Sequence, residues 1–307
     1  MTIQEKIRKI KEERHAVILA HNYQNPEVQD MADFVGDSLG LSLQASRTEA
    51  AVIVFCGVHF MAETAKILSP LKTVLLPDPD AGCPMADMIT AEDLRELKRD
   101  HPGARVLCYV NTSAAVKAES DFCCTSANAE IMVRKALADE KEIVFVPDRY
   151  LADYVSGRTG RSFIVWNGFC PTHARILPED IEKARTSHPG AVVIAHPECT
   201  PEVRTLADRV ASTEGLCRYV KGSAAREIIV ATEIGIIHRM KRDNPEKAFF
   251  AASNKAVCPN MKRITLEKIL RSLEENRHEI VVPRDIAARA KGCIDGMLEW
   301  SVERSGE

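Results

Sequence analysis

At 307 residues, with 45% hydrophobic and 28% charged side chains, the chain has a globular composition, excludes a disordered polymer and is long enough for two or three compact units. A formal net charge of −3 leaves no basic face for nucleic acid or an anionic membrane, so an anionic ligand has to be held by local donors. The apolar runs are strand-sized and too short for a bilayer span or a signal-peptide core, which points to a soluble, cytoplasmic protein.

In chain order, an amphipathic helix comes first, with Ile3, Ile7 and Ile10 on one stripe. An apolar strand from Val17 follows and ends in His21-Asn22-Tyr23. Ser38 then reads as a helix start, 51–58 and 72–76 read as strands, and Gly82-Cys83-Pro84 forms a turn. The same series then begins again. A strand from Val106 ends in Tyr109-Val110-Asn111, Ser126 starts a helix, 143–146 and 162–165 are strands, and Phe169-Cys170-Pro171 follows. A third pass starts at Val192 and ends in His196-Pro197-Glu198. It continues through Thr213, strands at 228–231 and 248–251, and Val257-Cys258-Pro259. The chain closes with Glu279-Ile-Val-Val-Pro283 and a helical tail from about Asp285.

The repeat keeps its register. Tyr109 stands 88 positions after His21 and His196 stands 87 after Tyr109, while Cys170 follows Cys83 by 87 and Cys258 follows Cys170 by 88. Ser38, Ser126 and Thr213 each come 17 positions after their strand tip. Continuous apolar strands alternating with helices imply parallel βαβ units. The fold class expected is α/β, with three homologous α/β/α repeats, each carrying a short parallel sheet, around a pseudo-threefold axis. Their bounds read as 1–103, 104–190 and 191–307, the last including the tail.

Ten cysteines in such a chain argue against a disulfide framework and towards metal or catalytic use for some of them. Cys56, Cys108, Cys123, Cys124, Cys199, Cys217 and Cys293 sit in apolar surroundings and read as core fillers. Cys83, Cys170 and Cys258 differ, because three units about one axis would present three Cys-Pro loops to one central point. A [4Fe–4S] cluster matches that triangle and keeps one iron open. A Cys₃ zinc site, with a nitrogen from His173, is the rival, although the paired spacing of structural zinc sites is missing.

One Cys-Pro step, one strand-end histidine or one helix-start hydroxyl is ordinarily structural. Taken together, His21, Tyr23, Tyr109, Asn111, His196, Glu198, Ser38, Ser126 and Thr213 converge on an open metal position. Glu198, the carboxylate among the tips, is the candidate general base. An open iron would polarise a carbonyl or hydroxyl oxygen. Elimination or condensation on a small oxygenated anion is the chemistry expected. Hydride transfer is not, because no Gly-x-Gly-x-x-Gly follows the first strand.

The strings His21-Asn-Tyr-Gln24, Gly36-Asp-Ser-Leu39, Tyr109-Val-Asn-Thr-Ser113, Cys124-Thr-Ser-Ala-Asn128, Trp166-Asn-Gly-Phe-Cys-Pro-Thr-His173, His196-Pro-Glu-Cys199 and Ser212-Thr-Glu-Gly215 resemble the quinolinate synthase family of NAD biosynthesis over essentially the whole chain. The resemblance implies a transferase that condenses iminoaspartate with dihydroxyacetone phosphate to quinolinate, releasing phosphate and water. Such an enzyme would be coupled to another that supplies iminoaspartate. It further implies that Cys83, Cys170 and Cys258 ligate the cluster and that Ser38, Ser126, His21 and Tyr109 hold the phosphate-bearing substrate. His173, His196, Ser212 and Thr213 would orient the dicarboxylate, Glu198 and Tyr23 would move protons, and Asn111 would hold the triose oxygens with the open iron. His21 and Tyr109 also count among the catalytic groups. Other readings are a diphthamide-synthesis type of cluster enzyme, which resembles the same three-repeat architecture, and a non-enzymatic iron–sulfur redox carrier or sensor.

Overall fold

A computed structural model describes residues 1–140 and 142–302. Among the described residues, twelve strands form three four-stranded, all-parallel sheets. The first contains β1 (Ala16–His21), β2 (Phe34–Gly36), β3 (Val52–Cys56) and β4 (Thr73–Leu75). The second contains β5 (Arg105–Tyr109), β6 (Phe122–Cys124), β7 (Ile143–Val146) and β8 (Ile164–Val165). The third contains β9 (Val192–Ala195), β10 (Arg209–Val210), β11 (Glu227–Ala231) and β12 (Ala248–Ala251). The strand order is the same in each: β2-β1-β3-β4, β6-β5-β7-β8 and β10-β9-β11-β12. The α/β class with three repeated parallel sheets is therefore as expected.

The central strands are continuous apolar runs because helices cover both faces, and β3 and β7 are buried at every position. The edge strands β2, β6 and β10 have only two or three residues and are held by a repeated latch. Asp33, Asp121 and Asp208 each donate a backbone N–H to a central-strand carbonyl, on Ile18, Val106 and Val193 respectively. Each Asp side chain then accepts that same residue's N–H at 2.8 Å. Two bonds close one ring, so a very short edge strand still has a fixed register.

The chain after β12 does not stay with the third sheet. Ile280 N–H donates to Val74 O at 2.8 Å and Leu76 N–H donates to His278 O at 3.1 Å, so the 279–283 segment lines the β4 edge of the first sheet. The helix Leu266–Glu275 packs on the opening helix Ile3–Glu13, and the helix Arg284–Val302 packs on Ala114–Ala118 and β6. The last two helices thus tie the third unit to the first and second. Residues 303–307, read above as the end of the third unit, lie outside the described residues.

Candidate active site

Parallel sheets open their ligand crevices beyond the carboxyl ends of the strands. β1, β5 and β9 bring their polar tips there, and the tips of all three units line one cavity. It encloses about 680 Å³ of space free of protein atoms, counting its mouth. His21, Tyr23, Ser38, Tyr109, Asn111, Ser126, His173, His196, Glu198 and Thr213 line it, as do Cys83, Cys170 and Cys258. Ser212 is the expected site residue that does not. It caps the helix Thr213–Gly222, its hydroxyl accepting from Gly215 N–H at 3.2 Å.

Helix starts differ in detail from the reading above. Asp37 is the N-cap of Ser38–Arg47, accepting from Gly40 N–H at 2.8 Å, so Ser38 and Thr213 are first helical residues rather than caps. Ser126 stands in the turn before Ala129–Ile131, whose N-cap is Asn128. Relieved of capping, the Ser38, Ser126 and Thr213 hydroxyls stay with the cavity. First-turn N–H groups and a partial positive charge lie beside Ser38 and Thr213.

The tip histidines share a local device. His21 Nδ1 accepts from Tyr23 N–H at 3.1 Å and His196 Nδ1 accepts from Glu198 N–H at 3.3 Å. Burial pushes both imidazoles down to about 3, against the pull of Glu198. They are neutral at physiological pH, and with Nδ1 accepting, the proton resides on Nε2. His196 Nε2 lies 3.2 Å from Ser126 Oγ. Each ring is a donor without net charge.

A hydrogen-bonded chain crosses the cavity wall. Tyr109 OH donates to Glu198 Oε1 at 2.6 Å, and His173 Nδ1 lies 2.8 Å from Oε2. His173 Nε2 lies 2.8 Å from Thr232 Oγ1, which is 2.6 Å from Tyr23 OH. Burial opposes ionisation of Glu198, but the His173 and His196 rings and the bonds from His173 and Tyr109 outweigh it. The carboxyl is held well below its usual range. Burial and the Glu198 charge push the Tyr23 and Tyr109 phenols well up, so both keep their protons.

Each Cys-Pro loop aims backbone N–H groups at its own sulfur. Cys83 receives Ala86 and Met85, Cys170 receives His173, and Cys258 receives Met261 and Asn260. Proline at the next position has no N–H and sets the turn. Burial nevertheless pushes the Cys83 thiol up to about 12 and raises Cys170 and Cys258 as well. Thiols of this kind lose their protons to a bound metal. Among the described residues, donor sets whose atoms all lie within 4.8 Å of one another are Cys108–Cys123–Cys293 and Cys170–His173–Glu198. The three Cys-Pro sulfurs do not form such a set, so they suit a body larger than one ion. A single tetrahedral zinc at about 2.3 Å from each sulfur would bring them to about 3.8 Å apart. The side-chain oxygen Asn111 Oδ1 is buried without a partner at the same cavity.

Sequence reasoning missed Thr232 and Glu233, which follow β11 as His196 follows β9. Glu233 is fully buried and accepts from Cys258 N–H at 3.2 Å and Gly235 N–H at 2.7 Å, with Lys262 Nζ at 2.9 Å. Asp148, after β7, caps Arg149–Thr159 through Oδ1 and leaves Oδ2 unpartnered. Burial and Glu198 push its carboxyl well up, opposite to the shift at Glu198.

The chain matches the family model described as quinolinate synthetase A protein over residues 5–299. It is 55% identical over 298 residues to quinolinate synthase 1 of Methanosarcina acetivorans, covering 97% of each chain. It is 56% identical over 294 residues to the quinolinate synthase of Methanosarcina barkeri, covering 96% of each. With the quinolinate synthase of Dehalococcoides mccartyi it shares 54% over 296 residues, 96% of this chain and 97% of the relative.

Proposed function

This chain belongs to the quinolinate synthetase A family, and from that premise we propose that it is a transferase condensing iminoaspartate with dihydroxyacetone phosphate to quinolinate, with release of phosphate and water. The observation that carries the reading is the Tyr109–Glu198–His173–Thr232–Tyr23 chain in a cavity that also bears three Cys-Pro thiols. Cys83, Cys170 and Cys258 would hold a [4Fe–4S] cluster at the meeting point of three units around a pseudo-threefold axis. When bound, such a cluster supplies a Lewis-acidic iron that no protein ligand occupies.

The chain's own residues supply the rest. Ser38, Ser126 and Thr213 offer hydroxyls, and the first-turn amides of the helices that begin at Ser38 and Thr213 meet a phosphate or carboxylate without adding a fixed cation. His21 and His196 add neutral N–H donors, so product is not trapped by a strong ion pair. Ionised Glu198 takes protons from the substrate carbon or nitrogen. Tyr109 and His173 hold its two oxygens, and the Thr232 hydroxyl joins His173 to Tyr23, whose protonated hydroxyl can donate to a substrate oxygen. The Asn111 side-chain oxygen, unpartnered in the protein, is free to accept from a triose hydroxyl.

Family membership leaves no support for the diphthamide-type reading or for a redox carrier. No helix among the described residues is long and apolar enough to cross a membrane. Anaerobic, iron-loaded protein given iminoaspartate and dihydroxyacetone phosphate should form quinolinate, measured by mass spectrometry. Its EPR or Mössbauer signature should change when quinolinate is added. Failure of both overturns the proposal.

A further inference from the structure

A second group of thiols lies outside the cavity. Cys108 on β5, Cys123 on β6 and Cys293 on the helix Arg284–Val302 are buried, and their sulfurs all lie within 4.8 Å of one another. The Cys108 and Cys293 sulfurs are 3.8 Å apart. Thiolates bound at about 2.3 Å around a trigonal ion stand about 4.0 Å apart, so the spacing fits a single ion as it stands.

Charge supplies an independent argument. Lys117 is fully buried, and its amino group donates to Val110 O at 2.7 Å and to Thr112 O. No carboxylate pairs with it among the described residues, and a buried cation without a counter-charge is costly. Its positive charge lies close enough to the Cys108 and Cys123 sulfurs to favour negative charge on them. Three thiolates around a divalent ion carry a net charge of −1, which Lys117 would balance.

We propose that Cys108, Cys123 and Cys293 bind one thiophilic divalent ion of the zinc class, pinning the carboxy-terminal helix to the second unit. Ser120, close to the Cys108 sulfur, donates its hydroxyl to Val116 O at 2.8 Å, which leaves its oxygen lone pairs for a fourth position. Binding releases the three thiol protons to solvent and involves no redox change. Because the helix Arg284–Val302 supplies one ligand and the second sheet supplies two, the ion acts as a cross-link between distant parts of the chain.

The test uses anaerobic, cluster-loaded protein, in which the Cys-Pro thiols are already taken, stripped of loose metal and given zinc alone. One equivalent of zinc beyond the iron should be retained, with three sulfurs at about 2.3 Å in its X-ray absorption shell and a higher unfolding temperature. Cys123→Ala and Cys293→Ala should each lose that zinc while iron content and quinolinate formation are unchanged. No retained zinc, retention unchanged in both variants, or a shell without three sulfurs would overturn the proposal. The absorption measurement on the unaltered chain decides the matter even if a variant fails to fold.

Discussion

Glu198 Oε2 lies 2.8 Å from His173 Nδ1, and that same nitrogen lies 3.2 Å from Cys170 Sγ. The candidate base therefore adjoins a candidate cluster ligand through one imidazole, and its other oxygen is taken by Tyr109 at 2.6 Å. Glu198→Gln keeps the shape but removes the charge and presents an amide N–H to groups that already donate. Turnover should fall by about 10²–10⁴-fold. Iron and sulfide content should stay at the unaltered level, because no sulfur is touched. An active variant removes Glu198 as the base, and loss of iron alongside activity would make it a support for the Cys170 loop instead.

Cys83→Ala, Cys170→Ala and Cys258→Ala should each abolish iron retention and quinolinate formation. Every loop supplies one thiol to the same cavity, and removing a vertex leaves only two. Cys217→Ala is the control, since Cys217 sits on the helix Thr213–Gly222 and does not line the cavity. Iron analysis of anaerobically reconstituted protein reads the difference. Loss of iron from the Cys217 variant would refute the ligand assignment.

The neutral histidines make stability depend on pH in a definite direction. Unfolded imidazoles take up protons near 6.5, whereas burial holds His21 and His196 to about 3 in the fold. Between those values the unfolded chain binds more protons, so stability is full above pH 6.5 and is lost as pH falls towards 3. The limit is about 1.4 kcal/mol per pH unit for each histidine. Glu198, held below its usual range, adds a further loss only below the ordinary carboxyl range. Urea midpoints of cluster-free protein should fall from pH 6.5 to 5, with a smaller slope in His21→Gln. A flat profile contradicts the buried neutral state.

Asp121→Ala tests the edge latch. It removes the acceptor of Val106 N–H and leaves a buried donor unpaired, which should cost about 1–3 kcal/mol. Asp121→Asn, which retains a side-chain oxygen, should recover much of that. Equal melting temperatures for Asp121→Ala and the unaltered chain would show that the latch contributes little.

The latch also shows where the repeat was legible and where it was not. Asp33, Asp121 and Asp208 each stand 12 positions after His21, Tyr109 and His196, so the register carries this fourth landmark. The edge strands it fixes are too short to show periodicity, so the pattern alone does not single it out. Thr232 follows His196 by 36 positions, as Gly57 follows His21, but Pro147 follows Tyr109 by 38. The second unit carries its extra residues in a stretch that includes the wider π-helical turns of Met132–Ala136, which hides the equivalence. The Cys-Pro loops and first-strand tips were readable because their types recur. The pairing of Tyr109 with Glu198, or of Tyr23 with Thr232, joins different units and is set only by packing.

Glu233 is the group whose role depends most on that packing. Its two oxygens accept from Cys258 N–H and Gly235 N–H, and Lys262 reaches both its carboxyl and the Tyr23 carbonyl. Glu233 thereby fixes the third Cys-Pro loop against the first strand tip without lining up as a thiol ligand. Gly235 leaves room for this, since a methyl there would lie 2.8 Å from the Tyr23 carbonyl oxygen and 2.6 Å from Lys262 Nζ. Glu233→Gln retains one acceptor but weakens the hold of Lys262. Iron should be retained at first and lost several-fold faster to a chelator than in the unaltered protein, with the initial rate of quinolinate formation reduced less. Gly235→Ala should show the same accelerated loss by forcing the loop apart. If both variants hold iron as long as the unaltered chain, Glu233 does not position Cys258, and the loop is fixed by its own backbone bonds at Asn260 and Met261.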